Sequence, residues 1–245
     1  MNVIDCVQGS AEWLQARTGR VTASCMADVI SVLKKGGESA ARANYKTQIV
    51  AEMLTGTAAE SFVSAEMIHG TEQEPLARNM YAMRHGVFVD QVGFVIHPTI
   101  ERSGSSPDGL VNHDGLIEIK CPKTTTHIRW ALEGVVPVEH EPQMHFQMAC
   151  TGRKWCDFVS FDPRLPASMQ IFVKRLERNN EVIAGLNAAV EQFLCEVDLM
   201  IDRLKAQFPP LEQVAMNEEG LGMCGITDED IRAVDPMWRR AVEAS

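Results

Sequence analysis

The sequence lacks the features of a membrane-spanning, secreted or disulfide-bonded protein. No run of about 18 apolar residues occurs, so we expect no membrane span. The N-terminus lacks the basic and apolar regions of a signal peptide. The seven cysteines are odd in number, scattered and without a C-x-x-C pair, which argues against a disulfide framework, a zinc site or an iron–sulfur cluster. We therefore expect a cytoplasmic protein with reduced thiols.

Positive charge is also scarce. The 23 Lys and Arg residues face 33 Asp and Glu residues, for a net charge of −10, which is unfavourable for nonspecific nucleic-acid binding. Residues 211–245 alone contain eight acids and three arginines, so they hold half of this excess. We predict one main domain over residues 1–208 and an acidic extension over residues 209–245. The extension is expected to be solvated; the alternative is that it docks a partner or covers a DNA channel.

The polar residues most indicative of chemistry lie between positions 106 and 122. Asp108 stands between proline and glycine, which favour a bend. Glu118 and Lys120 alternate with apolar residues, so on a strand they share one face. Two carboxylates form a hard oxygen site for Mg²⁺, and a neighbouring lysine can orient or deprotonate a water. The pattern predicts metal-assisted phosphodiester hydrolysis.

The same three residues also admit a structural interpretation. Asp-Gly is a common turn pair, and a Glu–Lys pair on one strand face is often a solvated ion pair of little energetic value. The apolar sequence around Glu118 and Lys120 weighs against that interpretation, because an unpaired buried charge is costly. Charged residues in such apolar sequence indicate that they bind a metal, pair with a partner or take part in a reaction.

Two helical segments near the N-terminus form a candidate anion site. One is predicted from Ser10 to Arg17, and a second over residues 25–33, with Ser24 in its capping region. Free N–H groups at a helix start, a hydroxyl and a nearby arginine can hold a phosphate. Judged from these residues alone, the preferred interpretation is that Ser24 only caps the helix and Arg17 is a surface charge.

The order of the remaining elements indicates the fold class. Glu74 and Pro75 are predicted to start a helix that ends at His85. Glu74 either complements the dipole of this helix or points toward the carboxylates of Asp108 and Glu118. Strands are predicted near 87–121 and 155–175, separated by a helix that carries Gln143 and Gln147 on one face. This order predicts an α/β (α+β) protein with a central mixed β-sheet flanked by helices.

Four segments in order resemble one known family. They are residues 16–24, 70–77, 106–122 and 143–164. Together they resemble the lambda exonuclease / YqaJ-type viral recombinases, a branch of the PD-(D/E)XK nuclease superfamily. The resemblance extends from about residue 8 to residue 208, and it implies a restriction-endonuclease-like core with residues 1–208 as the nuclease domain.

The resemblance also implies roles for individual residues, and it reverses the structural interpretation of the anion site. The residues implied in catalysis are Lys120, Glu118, Asp108, Glu74 and Gln147, of which Asp108, Glu118 and Glu74 bind the metal. The residues implied in binding the 5′-phosphate or DNA are Arg17, Ser24, Ser106 and, as a weaker candidate, Lys35. Gln143 stays an alternative to Gln147, because His145 stands between them.

The activity implied by the resemblance is a 5′–3′ exonuclease on linear double-stranded DNA ends. It would use Mg²⁺, with Mn²⁺ possible, leave 3′ overhangs, form a homotrimeric ring and hand the strand to a single-strand annealing protein. The setting would be a bacterial host cytoplasm, with the protein encoded by a phage or prophage. The alternatives are an endonuclease or repair nuclease on the same core, and a catalytically inactive DNA-end-binding protein.

Overall fold

A computed structural model describes residues 1–33, 35–59 and 65–209. The chain divides into two units, Met1–Ile201 and Asp202–Ser245, and the second is described only as far as residue 209. Residues 210–245 of the predicted acidic extension lie outside the described residues, so the predicted domain boundary stays a prediction. Within the described part, no helix is both long and apolar enough to cross a membrane.

Within the described residues, nine strands form two mixed sheets. In spatial order, the four-stranded sheet contains β1 (Asn2–Ile4), β4 (Phe94–Ile96), β5 (Ser103–Ser105) and β2 (Val21–Thr22). The five-stranded sheet contains β3 (Val89–Asp90), β6 (Gly109–Val111), β7 (Gly115–Lys120), β8 (Trp155–Phe161) and β9 (Ile171–Glu177). The pairs β2–β5 and β7–β8 are parallel, and the other pairs are antiparallel. The predicted fold class is confirmed, with the strands divided between two sheets.

Seven α-helices, some with recognisable capping residues, cover both sheets in the described part of the chain. They are α1 (Ala11–Arg17), α2 (Met26–Val29), α3 (Ala40–Thr55), α4 (Ala65–His85), α5 (Thr124–Glu133), α6 (Glu141–Thr151) and α7 (Asn180–Gln207). The Ser10 hydroxyl caps α1 by accepting a hydrogen bond from the Trp13 backbone N–H at 3.2 Å. Gly134 and Gly152, which end α5 and α6, adopt the left-handed conformation that favours glycine.

Strand β7 carries the predicted catalytic pair and is packed on both faces. Ile117 and Ile119 share one apolar cluster with Tyr81 of α4. Leu116 shares the other cluster with Met144 of α6. Burying each of these side chains contributes about 1.5–3 kcal/mol. Glu118 on β7 is therefore removed from water, and its hydrogen-bond partners have to come from the protein.

Helix α2 is much shorter than the predicted helix over residues 25–33. A 3₁₀ turn, Ala23–Cys25, comes first, so Ser24 lies within this turn and is not a helix cap. The chain then turns back on itself, because the Leu33 N–H donates to Gly37 O at 3.1 Å. Gly37 has a φ of 99°, a conformation that glycine adopts at little cost.

Helix α4 begins earlier than predicted and passes through Pro75. A proline inside a helix removes one backbone hydrogen bond and costs about 3 kcal/mol. Pro75 lies on the exposed side, and one turn later Arg78 pairs with Glu74. Tyr81 is buried against β7. This packing and the ion pair offset the cost of the proline, so the helix continues where the sequence predicts a start.

Candidate active site

Asp108 lies in the turn that leads into β6. The β6–β7 hairpin brings its carboxylate beside β7, where Oδ2 accepts a hydrogen bond from the Ile119 backbone N–H at 2.6 Å. The side-chain amide of Gln8 donates to Val92 O at 2.8 Å and to Pro107 O at 2.9 Å. The peptide immediately before Asp108 is therefore fixed by a residue from the N-terminal segment.

Glu118 is the most deeply buried acid of the predicted set, with 2% of its surface exposed. Its Oε1 lies 2.6 Å from Lys120 Nζ and accepts a hydrogen bond from Gln143 Nε2 at 2.7 Å. Its Oε2 accepts a hydrogen bond from Gln147 Nε2 at 2.5 Å. Both glutamines of α6 thus reach the same carboxylate. Gln143 also approaches Lys120, whose Nζ lies 3.5 Å from Gln143 Oε1.

Glu74 approaches from α4 with a partner that sequence reasoning missed. Arg78, one turn later on the same helix, forms an ion pair with the Glu74 carboxylate. Its Nε donates to the backbone O of Asp108 at 2.8 Å. The spacing of four residues on a predicted helix is the signal that could have indicated this pair.

Glu74, Asp108 and Glu118, together with Lys120, form a carboxylate cluster whose charges interact strongly. Burial raises the pKa of Asp108 well above its usual range, and repulsion by Glu118 and Glu74 raises it further. Burial, together with repulsion by Glu118, also raises the pKa of Glu74, against the opposing effect of Arg78. Burial lowers the pKa of Lys120, but attraction by Glu118 and Asp108 outweighs it, so that the pKa is raised. The neighbouring carboxylates therefore favour the charged form of Lys120.

The chemistry of the three acids fits a divalent cation. Within the described residues, no three His, Cys, Asp or Glu side chains already converge as an ion-binding group. Glu74, Asp108 and Glu118 are nevertheless close enough to repel one another, and a cation with two charges would relieve that repulsion. Carboxylate oxygens are the hard ligands that Mg²⁺ prefers. The assignment of these three acids to a metal stays a prediction.

A second cluster surrounds Arg17 at the end of α1. Its guanidinium carbon lies 4.2 Å from the centre of the Trp13 ring, a cation–π geometry. Its hydrogen-bond partners are two neutral hydroxyls, Thr22 Oγ1 at 3.5 Å and Ser24 Oγ at 3.4 Å. Burial lowers the pKa of Arg17, so this cation is partly desolvated. The Trp13 indole N–H donates to Ser106 Oγ at 2.8 Å, which joins all the predicted phosphate-binding residues except Lys35 in one cluster.

The comparisons with known proteins identify the family. The profile of the YqaJ-like viral recombinase domain matches residues 12–154. The chain belongs to this family, as the sequence resemblance predicts. No curated protein matches the sequence.

Solved structures of similar proteins agree with the YqaJ-like assignment. LHK-Exo, an alkaline exonuclease from Laribacter hongkongensis, is 47% identical, with 81% of this chain and 97% of that chain covered and a TM-score of 0.75. A structure of LHK-Exo in complex with dAMP gives the same values. A phage related exonuclease from Haemophilus somnus 129PT shares the fold, with 16% identity, 76% of this chain and 96% of that chain covered, and a TM-score of 0.58.

Lys35 is a predicted site residue that belongs to neither of the two clusters described above. It is exposed in the turn after Leu33. Within the described part of the chain, no hydrogen bond or ion pair joins it to either cluster. A role in contacting DNA stays a prediction for this residue. Conversely, Trp13 and Thr22 complete the Arg17 cluster although the sequence analysis assigned them no role.

Proposed function

We propose that this YqaJ-like protein is a Mg²⁺-dependent 5′–3′ exonuclease that resects one strand of linear double-stranded DNA ends. The 3′ overhangs would then serve recombination by single-strand annealing. The observation that carries this proposal is the turn at residues 106–108, since Ser106 belongs to the Arg17 cluster and Asp108 to the carboxylate cluster. A terminal phosphate held at the first cluster would place the next phosphodiester near the second.

Family membership supports the nuclease assignment. LHK-Exo is an alkaline exonuclease and has a structure in complex with dAMP. A deoxynucleoside monophosphate is the kind of product that an exonuclease releases from DNA. At 47% identity over 81% of this chain, a shared reaction is the simplest inference for the YqaJ-like protein.

The residues of the carboxylate cluster divide the chemical work. Glu74, Asp108 and Glu118 would hold the divalent cation, Mg²⁺ or Mn²⁺, which when bound stabilises developing negative charge and lowers the pKa of water. Lys120, charged and 2.6 Å from Glu118, would donate to a water or to a phosphate oxygen. The α6 glutamines would keep Glu118 in one orientation, as partners of metal ligands commonly do.

The Arg17 cluster would select the DNA end. Arg17, Ser24 and Ser106 offer a guanidinium and two hydroxyls to a 5′-phosphate. Binding there orients the strand, so a 5′-phosphorylated end would react faster than a 5′-hydroxyl end. The strand would then pass to a single-strand annealing protein in a bacterial host cell, with the nuclease encoded by a phage or prophage.

A homotrimeric ring around DNA would supply processivity by topology. Such a ring reduces the need for tight nonspecific binding to DNA, which a net charge of −10 disfavours. Sedimentation of the full chain tests this part of the proposal, and a monomer that remains processive on long DNA would contradict it.

The test of the proposed activity compares linear and closed circular duplex DNA. With Mg²⁺, the native protein should degrade the linear form only, faster with 5′-phosphate than with 5′-hydroxyl ends, and EDTA should stop the reaction. Lys120→Ala should slow it by about 10²–10³-fold. Cleavage of the circle would indicate an endonuclease, and cleavage of neither form would indicate a DNA-end-binding protein.

A further inference from the structure

Arg78 joins two acids that come from different parts of the fold. It lies on α4 with 8% of its surface exposed. One terminal nitrogen pairs with the Glu74 carboxylate, and Nε donates to the backbone O of Asp108 at 2.8 Å. The same guanidinium therefore holds a side chain of α4 and the peptide that carries the Asp108 carboxylate.

The second cation of the cluster, Lys120, is placed differently. Lys120 pairs with Glu118 from two residues away on the same strand, so this contact does not tie one element to another. Arg78 makes two directional contacts with its planar fork of donors, a geometry that a lysine ammonium cannot reproduce. Glu118 is already fixed by the α6 glutamines. The Asp108 carboxylate is held to β7 by the Ile119 N–H. Arg78 then ties the Glu74 side chain to the Asp108 peptide.

We propose that Arg78 is a positioning residue for divalent-cation binding, which sets the spacing between the Glu74 and Asp108 carboxylates. The inference rests on the proposed function, because it takes those acids as metal ligands. Groups that hydrogen-bond to metal ligands orient them, and their loss typically costs about 10–100-fold in metal affinity or activity. If Arg78 only balanced negative charge, its removal would strengthen metal binding, because a positive side chain repels the metal.

The test is calorimetric titration of the full chain with Mn²⁺ in the absence of DNA. Arg78→Lys keeps the charge but loses one arm of the fork, so Mn²⁺ should bind about 10-fold more weakly. Arg84→Lys is the matched control on the same helix, because Arg84 donates to Ile171 O at 3.2 Å and touches neither acid. Its Mn²⁺ affinity should equal that of the native protein. Melting in EDTA confirms that each variant is folded.

Arg78→Gln provides a second variant, which separates positioning from charge. It removes the positive charge, so tighter Mn²⁺ binding would mean that Arg78 merely opposes the cation. Positioning instead predicts weaker binding by Arg78→Gln as well. In DNA digestion, either variant should raise the Mg²⁺ concentration that gives half-maximal rate more than it lowers the rate at saturating Mg²⁺.

The outcomes distinguish this inference from the proposed function. Native affinity in Arg78→Lys, or increased affinity in Arg78→Gln, would overturn the role of Arg78. The metal assignment itself would fail if the native protein bound no Mn²⁺, or if Glu118→Gln bound it as tightly as the native protein does.

Discussion

The two clusters beside the 106–108 turn differ in how their charges are compensated. In the carboxylate cluster, cations of the protein are already paired with acids, as Lys120 is with Glu118 at 2.6 Å. In the other cluster, Arg17 approaches two neutral hydroxyls, at 3.4 Å and 3.5 Å, and the face of an indole ring. The first has surplus negative charge that a metal would relieve. The second has a partly desolvated positive charge that an anion would stabilise.

We therefore expect the carboxylate cluster to act on the reaction itself and the Arg17 cluster to act on the orientation of the DNA strand. Changes in the carboxylate cluster should reduce the rate on every DNA end, because they affect the reacting phosphate. Changes around Arg17 should act mainly on 5′-phosphorylated ends, because they affect the group that positions the strand. The predictions below test that separation.

The largest effect is expected for Lys120→Ala. Removal of a donor directed at developing negative charge costs about 10²–10³-fold in kcat, and here it also leaves the buried Glu118 carboxylate without its cation. Initial rates on 5′-phosphate and 5′-hydroxyl ends should fall by the same factor. Lys154→Ala is the matched control, since Lys154 pairs with Asp114 on the surface with 71% of its side chain exposed. A rate loss confined to phosphorylated ends would contradict the assignment of Lys120 to the reaction.

The two glutamines of α6 should differ in what their substitution changes, kcat in one case and stability in the other. Gln143 contacts both Glu118 and Lys120, so Gln143→Ala should lower kcat by about 10-fold. Gln147 is 1% exposed, and its loss leaves a buried carboxylate oxygen without a donor, at a cost of about 1–3 kcal/mol in the free energy of unfolding. Urea unfolding and digestion rates measure the two effects. A larger kcat loss for Gln147→Ala, with stability unchanged, would instead favour the single glutamine chosen from sequence.

Local spacing accounts for the part of the carboxylate cluster that the sequence predicts. Glu118 and Lys120 are two residues apart on one strand, so their side chains share a face, and Glu118 Oε1 and Lys120 Nζ meet at 2.6 Å. The contacts that the sequence analysis missed connect distant positions. Arg78 and Asp108 are 30 residues apart, and Trp13 and Ser106 are 93 apart. No periodicity encodes such pairs, because the tertiary fold alone brings them together.

The Arg17 cluster also shows that local sequence patterns do not determine the site. Arg17 and Ser24 entered the predicted site through the family resemblance, while the residues alone favoured a helix cap. The structure removes the cap, since Ser24 lies in a 3₁₀ turn, but keeps the contact with Arg17 at 3.4 Å. Arg17 and Ser24 are therefore close in space because of the 3₁₀ turn and not because of a helix cap. Helix α2 ends at Val29, and the chain then turns back, with the Leu33 N–H donating to Gly37 O.

A moderate effect with strong end selectivity is expected for Arg17→Ala. Hydrogen bonds to charged groups contribute about 1.5–3 kcal/mol, so kcat/KM on 5′-phosphate ends should fall by about 10–100-fold. The rate on 5′-hydroxyl ends should change little, and the ratio between the two ends should approach one. Arg102→Ala is the control, because Arg102 is paired with Asp198 and lies outside the cluster. Equal losses on both kinds of end would place Arg17 in the reaction instead.

The smallest effect is expected for Trp13→Phe, which tests the connection between the two clusters. Phenylalanine keeps a ring face for Arg17 but loses the indole N–H that donates to Ser106 Oγ at 2.8 Å. One such hydrogen bond contributes about 0.5–1.5 kcal/mol, so kcat/KM on 5′-phosphate ends should fall by about 2–10-fold. Ser106→Ala removes the other partner, so adding Trp13→Phe to Ser106→Ala should cost little more than Ser106→Ala alone. If Trp13→Phe slowed 5′-hydroxyl ends equally, the indole would be acting through the Asp108 turn, and the separation of orientation from chemistry would fail at this residue.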